Sequence, residues 1–392
     1  MSFLKPVSAA VAKTKVVSAF WTIPTVLLSS FMIGWGAEAA QYFMSQGLAL
    51  AILAWLQALP EFAVEAVIAW DQNTHLMLAN LTGSLRLLVG LGWPMIYFVR
   101  AGFKKKVSLR ERFDPIHLEK ENSVEVFSLL LPLLYFGVIY LKGSLYYYDA
   151  FVLCFFYSLY LWIIQKVPPK EMEELTDMPY IPRKIVVLSP VVRTTLILFL
   201  FVGGGLLLYF SVGPFLESLL ALATLLGISQ FVFIQWVSPF LSEFPEKLTA
   251  FNWARKEGKA PMALMNMVSA NINQWTLLVA MMIFIFCYSK GEWTGLEFDA
   301  HQKTELLLTL AQSFLAFLIL LDMRFRCSEA FVLFLFWFLQ FILPDLREEM
   351  IGVYGIAILG YLGLFLMRRR KLEAYVHFSH FLKNLKTKTA HI

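Results

Sequence analysis

Charge is scarce in this chain. Of its 392 residues 33 are Lys or Arg and 28 are Asp or Glu, 16% in all, against roughly 25% in soluble globular domains. With 59% hydrophobic residues beside so little charge, a water-soluble fold is excluded and a polytopic membrane protein is indicated. Long polar stretches are missing as well. The two longest, at about 103–122 and 168–185, are too short to fold alone. Three widely spaced cysteines, Cys154, Cys287 and Cys327, give neither a disulfide framework nor a metal-ligand spacing, and read as buried thiols. The histidines fall in loops or in the tail. There is no Ser/His/Asp or Cys/His pairing, so the chain is not read as an enzyme. Gly90-Leu91-Gly92 and Gly203-Gly204-Gly205 lie inside apolar runs, where they permit close helix packing rather than phosphate binding. No cofactor is expected. The net charge of +5 sits in loops and the tail, which suits the headgroups of a lipid bilayer and not nucleic acid.

What is present is a series of apolar runs long enough to cross a membrane. The first starts near residue 17 and is read as a retained span; Ala37-Glu38-Ala39 loosely resembles a signal-cleavage site, but the run is long and another follows closely. Further spans are expected at about 47–71, 76–100, 123–142 and 145–165, then at 190–223, 228–252, 262–288, 305–322 and 329–343, with a last one at 350–367. The expected fold is an all-α polytopic membrane protein of about 11 transmembrane helices, a 5+5 inverted repeat plus one C-terminal helix. An odd number of spans per half turns the second copy upside down relative to the first. The halves would be 17–165 and 190–343, joined by a cytoplasmic linker at 166–189, with the extra span followed by a basic tail at 368–392. Lys and Arg concentrate in the loops after spans three, five, seven and nine and in the tail, which places those segments in the cytoplasm. The N-terminus would then lie outside a plasma (inner) membrane, although Lys5, Lys13 and Lys15 argue the other way.

Two spans carry a carboxylate directly after a proline: Leu59-Pro60-Glu61 and Phe244-Pro245-Glu246. Proline removes a backbone donor and clashes with the carbonyl four residues back, so each site should break its helix and free carbonyl oxygens. A charged Glu near the bilayer centre costs about 2.5–3.5 kcal/mol, which makes a repeated Pro-Glu at that depth a functional signal. On a helix Glu65 shares the face of Glu61, and Glu243 that of Glu246. Four ionised carboxylates converging in mid-membrane would cost on the order of 10 kcal/mol. Protons, a bound inorganic cation, Arg86 or Lys247 must neutralise them. Carboxylate and carbonyl oxygens suit hard cations such as Ca²⁺, Na⁺ or Mn²⁺, and crowded carboxylates also take up protons in competition with metal. Asn80 and Asn266 follow their Pro-Glu at matching distances, and Asn271, Asn273 and Gln274 add neutral ligands; the alternative for each amide is a hydrogen bond between helices.

These residues resemble the two alpha repeats of the sodium/calcium exchanger family, each of the form Gly-Thr-Ser-x-Pro-Glu followed about twenty residues later by Gly-Asn-x-x-Gly-Ser-Asn-x-x-Asn. The first repeat here reads Leu56-Gln57-Ala58-Leu59-Pro60-Glu61 with Ala79-Asn80-Leu81-Thr82-Gly83-Ser84-Leu85-Arg86-Leu87-Leu88, inside a block at about 47–98. The second reads Leu241-Ser242-Glu243-Phe244-Pro245-Glu246 with Met265-Asn266-Met267-Val268-Ser269-Ala270-Asn271-Ile272-Asn273-Gln274, inside about 227–285. The resemblance implies a midplane cation site between spans 2, 3, 7 and 8 and alternating-access antiport, with spans one and six sliding against the core. Glu61 and Glu246 fall on the family's two acidic ligands and Ser84 on a serine ligand, whose counterpart here is Ala270. Leu88 and Gln274 stand at the two ligand positions further along, and Gln57 and Ala58 replace the hydroxyl pair of the first repeat. The resemblance therefore implies a divergent secondary active cation antiporter carrying Ca²⁺, Na⁺ or H⁺. The alternative is a non-transporting or proton-linked membrane protein on the same fold.

Overall fold

The computed structural model describes residues 9–43, 56, 58–104, 108–167, 175 and 178–389. Apolar sequence at membrane depth must satisfy its backbone internally, and helices are the outcome. In the first half these are α1 (Ala9–Gln41), α2 (Leu59–Trp70), α3 (Thr74–Phe103), α4 (Lys120–Lys142) and α5 (Tyr147–Ile164). The second half has α6 (Pro190–Leu226), α7 (Gln230–Ser242) with α8 (Phe244–Ala254), α9 (Ala260–Lys290), α10 (Ala300–Leu320) and α11 (Cys327–Ile342). The extra span α12 (Arg347–Leu366) and a tail helix α13 (Glu373–Thr389) follow. The expected start of span two, from about 47, lies largely outside the described residues. Counting α7 and α8 as one broken span, the order matches the expected five, five and one.

The proline breaks take a specific form. Pro245 lies in the first turn of α8, and Glu243 at φ −96° and ψ 6° separates α8 from α7. Pro60 likewise lies in the first turn of α2. Proline is tolerated there because its missing N–H would be unpaired anyway, so the residue starts a half-helix rather than bending a whole one. The repeat has a second signature: α3 turns into a π-helix at Leu88–Gly92 and α9 at Gln274–Leu278. In both helices the wide turn begins fourteen residues after the first, so Leu88 and Gln274 are equivalent positions. Such bulges often accompany functional sites.

The halves are tied together at both membrane faces by short antiparallel ladders. Ile116–His117, between α3 and α4, pairs with Arg324–Phe325, between α10 and α11. Ser144–Tyr146, between α4 and α5, pairs with Gly295–Glu297, between α9 and α10. Inversion of the repeat exchanges these two ladders. The tail helix joins the first of these faces: Ala374 N–H donates to the Leu321 carbonyl, and Phe378 stacks on Phe127 at the start of α4. Outside this core, α1 and α6 lie antiparallel, joined by Lys15–Glu217 at 2.9 Å, Thr22–Ser218 at 3.1 Å and Ser29 donating to the Gly204 carbonyl at 2.7 Å. Gly204 makes that approach possible, since a Cβ there would press on Ile33, Met32 and the Ser29 carbonyl.

Candidate cation site

The break between α7 and α8, the start of α2 and the middles of α3 and α9 meet in the interior. Glu61, in the first turn of α2, is buried and accepts from Ser84 Oγ of α3 at 2.6 Å. The same hydroxyl contacts Oε1 of Glu243, from the other half of the chain. Gln274 Nε2, at the head of the π turn in α9, donates to Glu61 Oε2 at 3.0 Å and to Glu243 Oε1 at 3.2 Å. One hydroxyl and one amide thus hold two carboxyl groups side by side across the repeat boundary. Glu243 is also paired with the buried Lys247, one turn along α8. Glu246 is buried beside them, within electrostatic reach of Glu61 and Glu243. Glu65, one turn further along α2, accepts from Asn80 Nδ2 at 2.7 Å.

Not every expected residue joins the cluster. Asn271 and Asn273 are buried on α9 with both amide atoms unbonded among the described residues, and the Nδ2 of Asn266 is unbonded too. The pairing Asn80–Glu65 therefore has no counterpart at Asn266. Among the described residues no three His, Cys, Asp or Glu side chains stand where together they could hold a metal ion as arranged. In this arrangement the carboxylate oxygens of Glu61 and Glu243 face a hydroxyl, an amide and an ammonium. Hard cations would be met here by oxygen ligands alone, from the carboxyls, Ser84 and the amides, which suits Ca²⁺ or Na⁺ rather than softer metals.

A second polar cluster, which the sequence did not reveal, occupies the opposite face of α3. Arg86 forms an ion pair with Glu305 of α10, donates to Gln340 of α11 at 3.1 Å and lies 5.0 Å over the Trp236 ring. Glu305 is also paired with Arg347 of α12 at 2.5 Å and accepts from Gln235 of α7 at 2.7 Å. Tyr354 of α12 donates to Gln312, and Gln312 donates to the Arg86 carbonyl. Glu305 and Arg347 stand at the ends of apolar runs, where the sequence analysis assigned them no role.

Comparison with known proteins agrees with this geometry. The sodium/calcium exchanger protein family matches residues 15–165 and 196–343, covering both halves and stopping before α12. Among solved structures, the crystal structure of the H⁺/Ca²⁺ exchanger CAX is 30% identical with a TM-score of 0.86, over 95% of this chain and 92% of that one. The sodium-calcium exchanger NCX_Mj, soaked with Na⁺ and Sr²⁺, is 16% identical with a TM-score of 0.56, over 85% of this chain and 99% of that one; at that identity the likeness concerns the fold. No curated protein sequence matches. With both inverted halves matched and the acidic residues of each meeting at one point, the chain belongs to the sodium/calcium exchanger protein family.

Proposed function

We propose that this integral membrane protein is a secondary active antiporter that exchanges Ca²⁺ for protons at the cluster of Glu61, Glu243, Glu246 and Glu65. The observation that carries the reading is the meeting of Glu61 and Glu243, from oppositely oriented halves, on the shared donors Ser84 and Gln274. Glu61, Glu243 and Glu246 act on one another with one ammonium, that of Lys247, beside them, so two negative charges need balance in a medium where each costs about 2.5–3.5 kcal/mol. Two protons, or one divalent cation, supply it. Competition of the two for the same oxygens is the elementary requirement of exchange. A half-turn of the Gln274 amide would present its oxygen, unbonded in this arrangement, in place of its NH₂ group. Protons are favoured over Na⁺ as the coupling ion by the 30% identity to an H⁺/Ca²⁺ exchanger and by Ala58 standing where the family carries a hydroxyl.

In proteoliposomes, a pH gradient should drive Ca²⁺ uptake that Glu61→Gln and Glu246→Gln abolish. Flux that persists unchanged in both variants would overturn the proposal. A second reading, a protein that keeps the fold without transport, has one observation in its favour: the oxygens of Glu61 and Glu243 are already occupied by donors of the protein. The same experiment separates the two, since that reading requires no gradient-driven flux in the wild type.

For topology, we infer a cytoplasmic C-terminus. The tail helix, the Ile116–Arg324 face and the basic segments after α3, α8 and α12 lie on one side, and excess Lys and Arg mark the cytoplasmic side.

A further inference from the structure

The cluster contains one feature that an ion-exchange site does not require. Glu243 and Lys247 form a buried ion pair inside it, on a helix that already supplies Glu246. Lys247 is 6% exposed and Glu243 is 3% exposed. The pair is not a remote structural brace, because Glu243 also faces the Ser84 hydroxyl and the Gln274 amide that hold Glu61. The ammonium is thus one carboxyl group away from the proposed cargo position. Arg86, also buried, is turned to Glu305 and Gln340 on the far side of α3.

We propose, resting on the antiporter reading, that Lys247 is a specificity-determining residue: its ammonium is a tethered univalent cation that holds Glu243 and must yield it when Ca²⁺ binds. A lysine is suited to this. Its charge is a compact point on a flexible four-carbon stem with three rotatable donors, so it can leave one carboxylate for another at small geometric cost. One turn of helix separates it from Glu243 and none from its neighbour Glu246, both within the sweep of that stem. The consequence is a competition internal to the protein. Cargo gains a carboxylate only by displacing a charge already present, and the displaced charge, unlike a proton or Na⁺, cannot leave the site. A remaining positive charge a few Å away opposes a divalent ion about twice as strongly as a univalent one, so Lys247 lowers the preference for Ca²⁺ over Na⁺.

The test is equilibrium binding of Ca²⁺ and of Na⁺ to the purified full chain by calorimetry, for wild type, Lys247→Gln, Lys247→Arg and Glu61→Gln. Removing one positive charge at such a distance should tighten Ca²⁺ binding about 10- to 100-fold in Lys247→Gln, with a smaller gain for Na⁺. Lys247→Arg keeps the charge and grips Glu243 with two parallel hydrogen bonds, so it should fold and bind Ca²⁺ several-fold more weakly than wild type. Should Lys247→Gln fail to fold, the arginine variant decides alone, and unchanged or tighter binding there overturns the proposal. Binding that is unchanged or weaker in folded Lys247→Gln, while Glu61→Gln loses it, makes Lys247 a positioning group for Glu243 and leaves the antiporter reading standing. If no variant and no wild type binds either ion, the antiporter reading fails and this one with it.

Discussion

Ser84 and Arg86 stand two residues apart on α3 and serve different charge systems: Ser84 donates to Glu61 at 2.6 Å, and Arg86 pairs with Glu305. Positions two apart on a helix point to nearly opposite faces. The bundle uses both faces of α3, one lining the carboxylate cluster with Asn80 and Ser84, the other lining the ion network with Thr82 and Arg86. Arg86 therefore does not neutralise the glutamates of the site, and instead holds α3 against α7, α10 and α11.

Breaking that pair should damage the protein without changing its site. Arg86→Gln leaves Glu305 with Arg347 and Gln235 but removes one of its buried ion pairs, at a cost below the about 3–5 kcal/mol seen where the remaining charge is left uncompensated. Thermal unfolding in detergent should show the loss, while Ca²⁺ affinity of the folded protein moves by less than about tenfold. Binding that appears only after Arg86 is removed would instead make it a plug of the site.

The breaks and the spans were legible in the sequence because each rests on a local rule. Apolar run length gives the spans, and Pro60 and Pro245 give the half-helices. The position of Glu61 opposite the second half follows from the inverted count. What was not legible depends on partners far along the chain. Glu305 lies 219 residues from Arg86, and no local pattern links the two. Glu243, which the sequence pattern placed at a hydroxyl position, proved to share the donors Ser84 and Gln274 with Glu61. The π turns at Leu88 and Gln274 carry no Gly or Pro signature common to both. The ladders are two or three residues long, too short for an alternating pattern. The tail helix was read as a basic tail because its apolar face, Tyr375 and Phe378, is small and lies among Lys and His.

Ser84 is the hinge of the proposed site, since its single hydroxyl faces carboxyl groups of both halves. Ser84→Ala removes a hydrogen bond to charge, worth about 1.5–3 kcal/mol, and an oxygen ligand with it. Ca²⁺ affinity should fall by about tenfold or more, read by calorimetry, and the unfolding temperature should fall with it. A Ser84→Ala protein that binds as wild type would show that the hydroxyl bridges the two acids without serving as a ligand.

The sign of the pH dependence follows from competition for shared oxygens. Protons and Ca²⁺ occupy the same carboxyl groups, so lowering the pH adds the competitor and weakens apparent Ca²⁺ binding, while raising it strengthens binding. Because several carboxyl groups share the ion, its binding displaces more than one proton, and the slope should exceed that of a single carboxyl. Glu246→Gln removes one member and should flatten the slope of log affinity against pH. An affinity that does not vary with pH in the wild type would exclude proton exchange and leave Na⁺ as the counter-ion.

The close crossing of α3 and α7 that brings the two charge systems so near each other depends on Gly83. A Cβ built there overlaps the backbone carbonyl of Gln235, and a carbonyl, unlike a side-chain tip, cannot swing away. Gly83→Ala should force the helices apart, at a cost of about 1–3 kcal/mol or more, and displace Ser84 on one face and Thr82 on the other. Both a lowered unfolding temperature and weakened Ca²⁺ binding are expected. Gly205→Ala is the control: a Cβ there meets nothing within 4 Å, and alanine restricts the unfolded chain, so stability should stay level or rise by up to about 1 kcal/mol. Equal behaviour of the two variants would mean that the α3–α7 crossing tolerates expansion and that the site is not held by that contact.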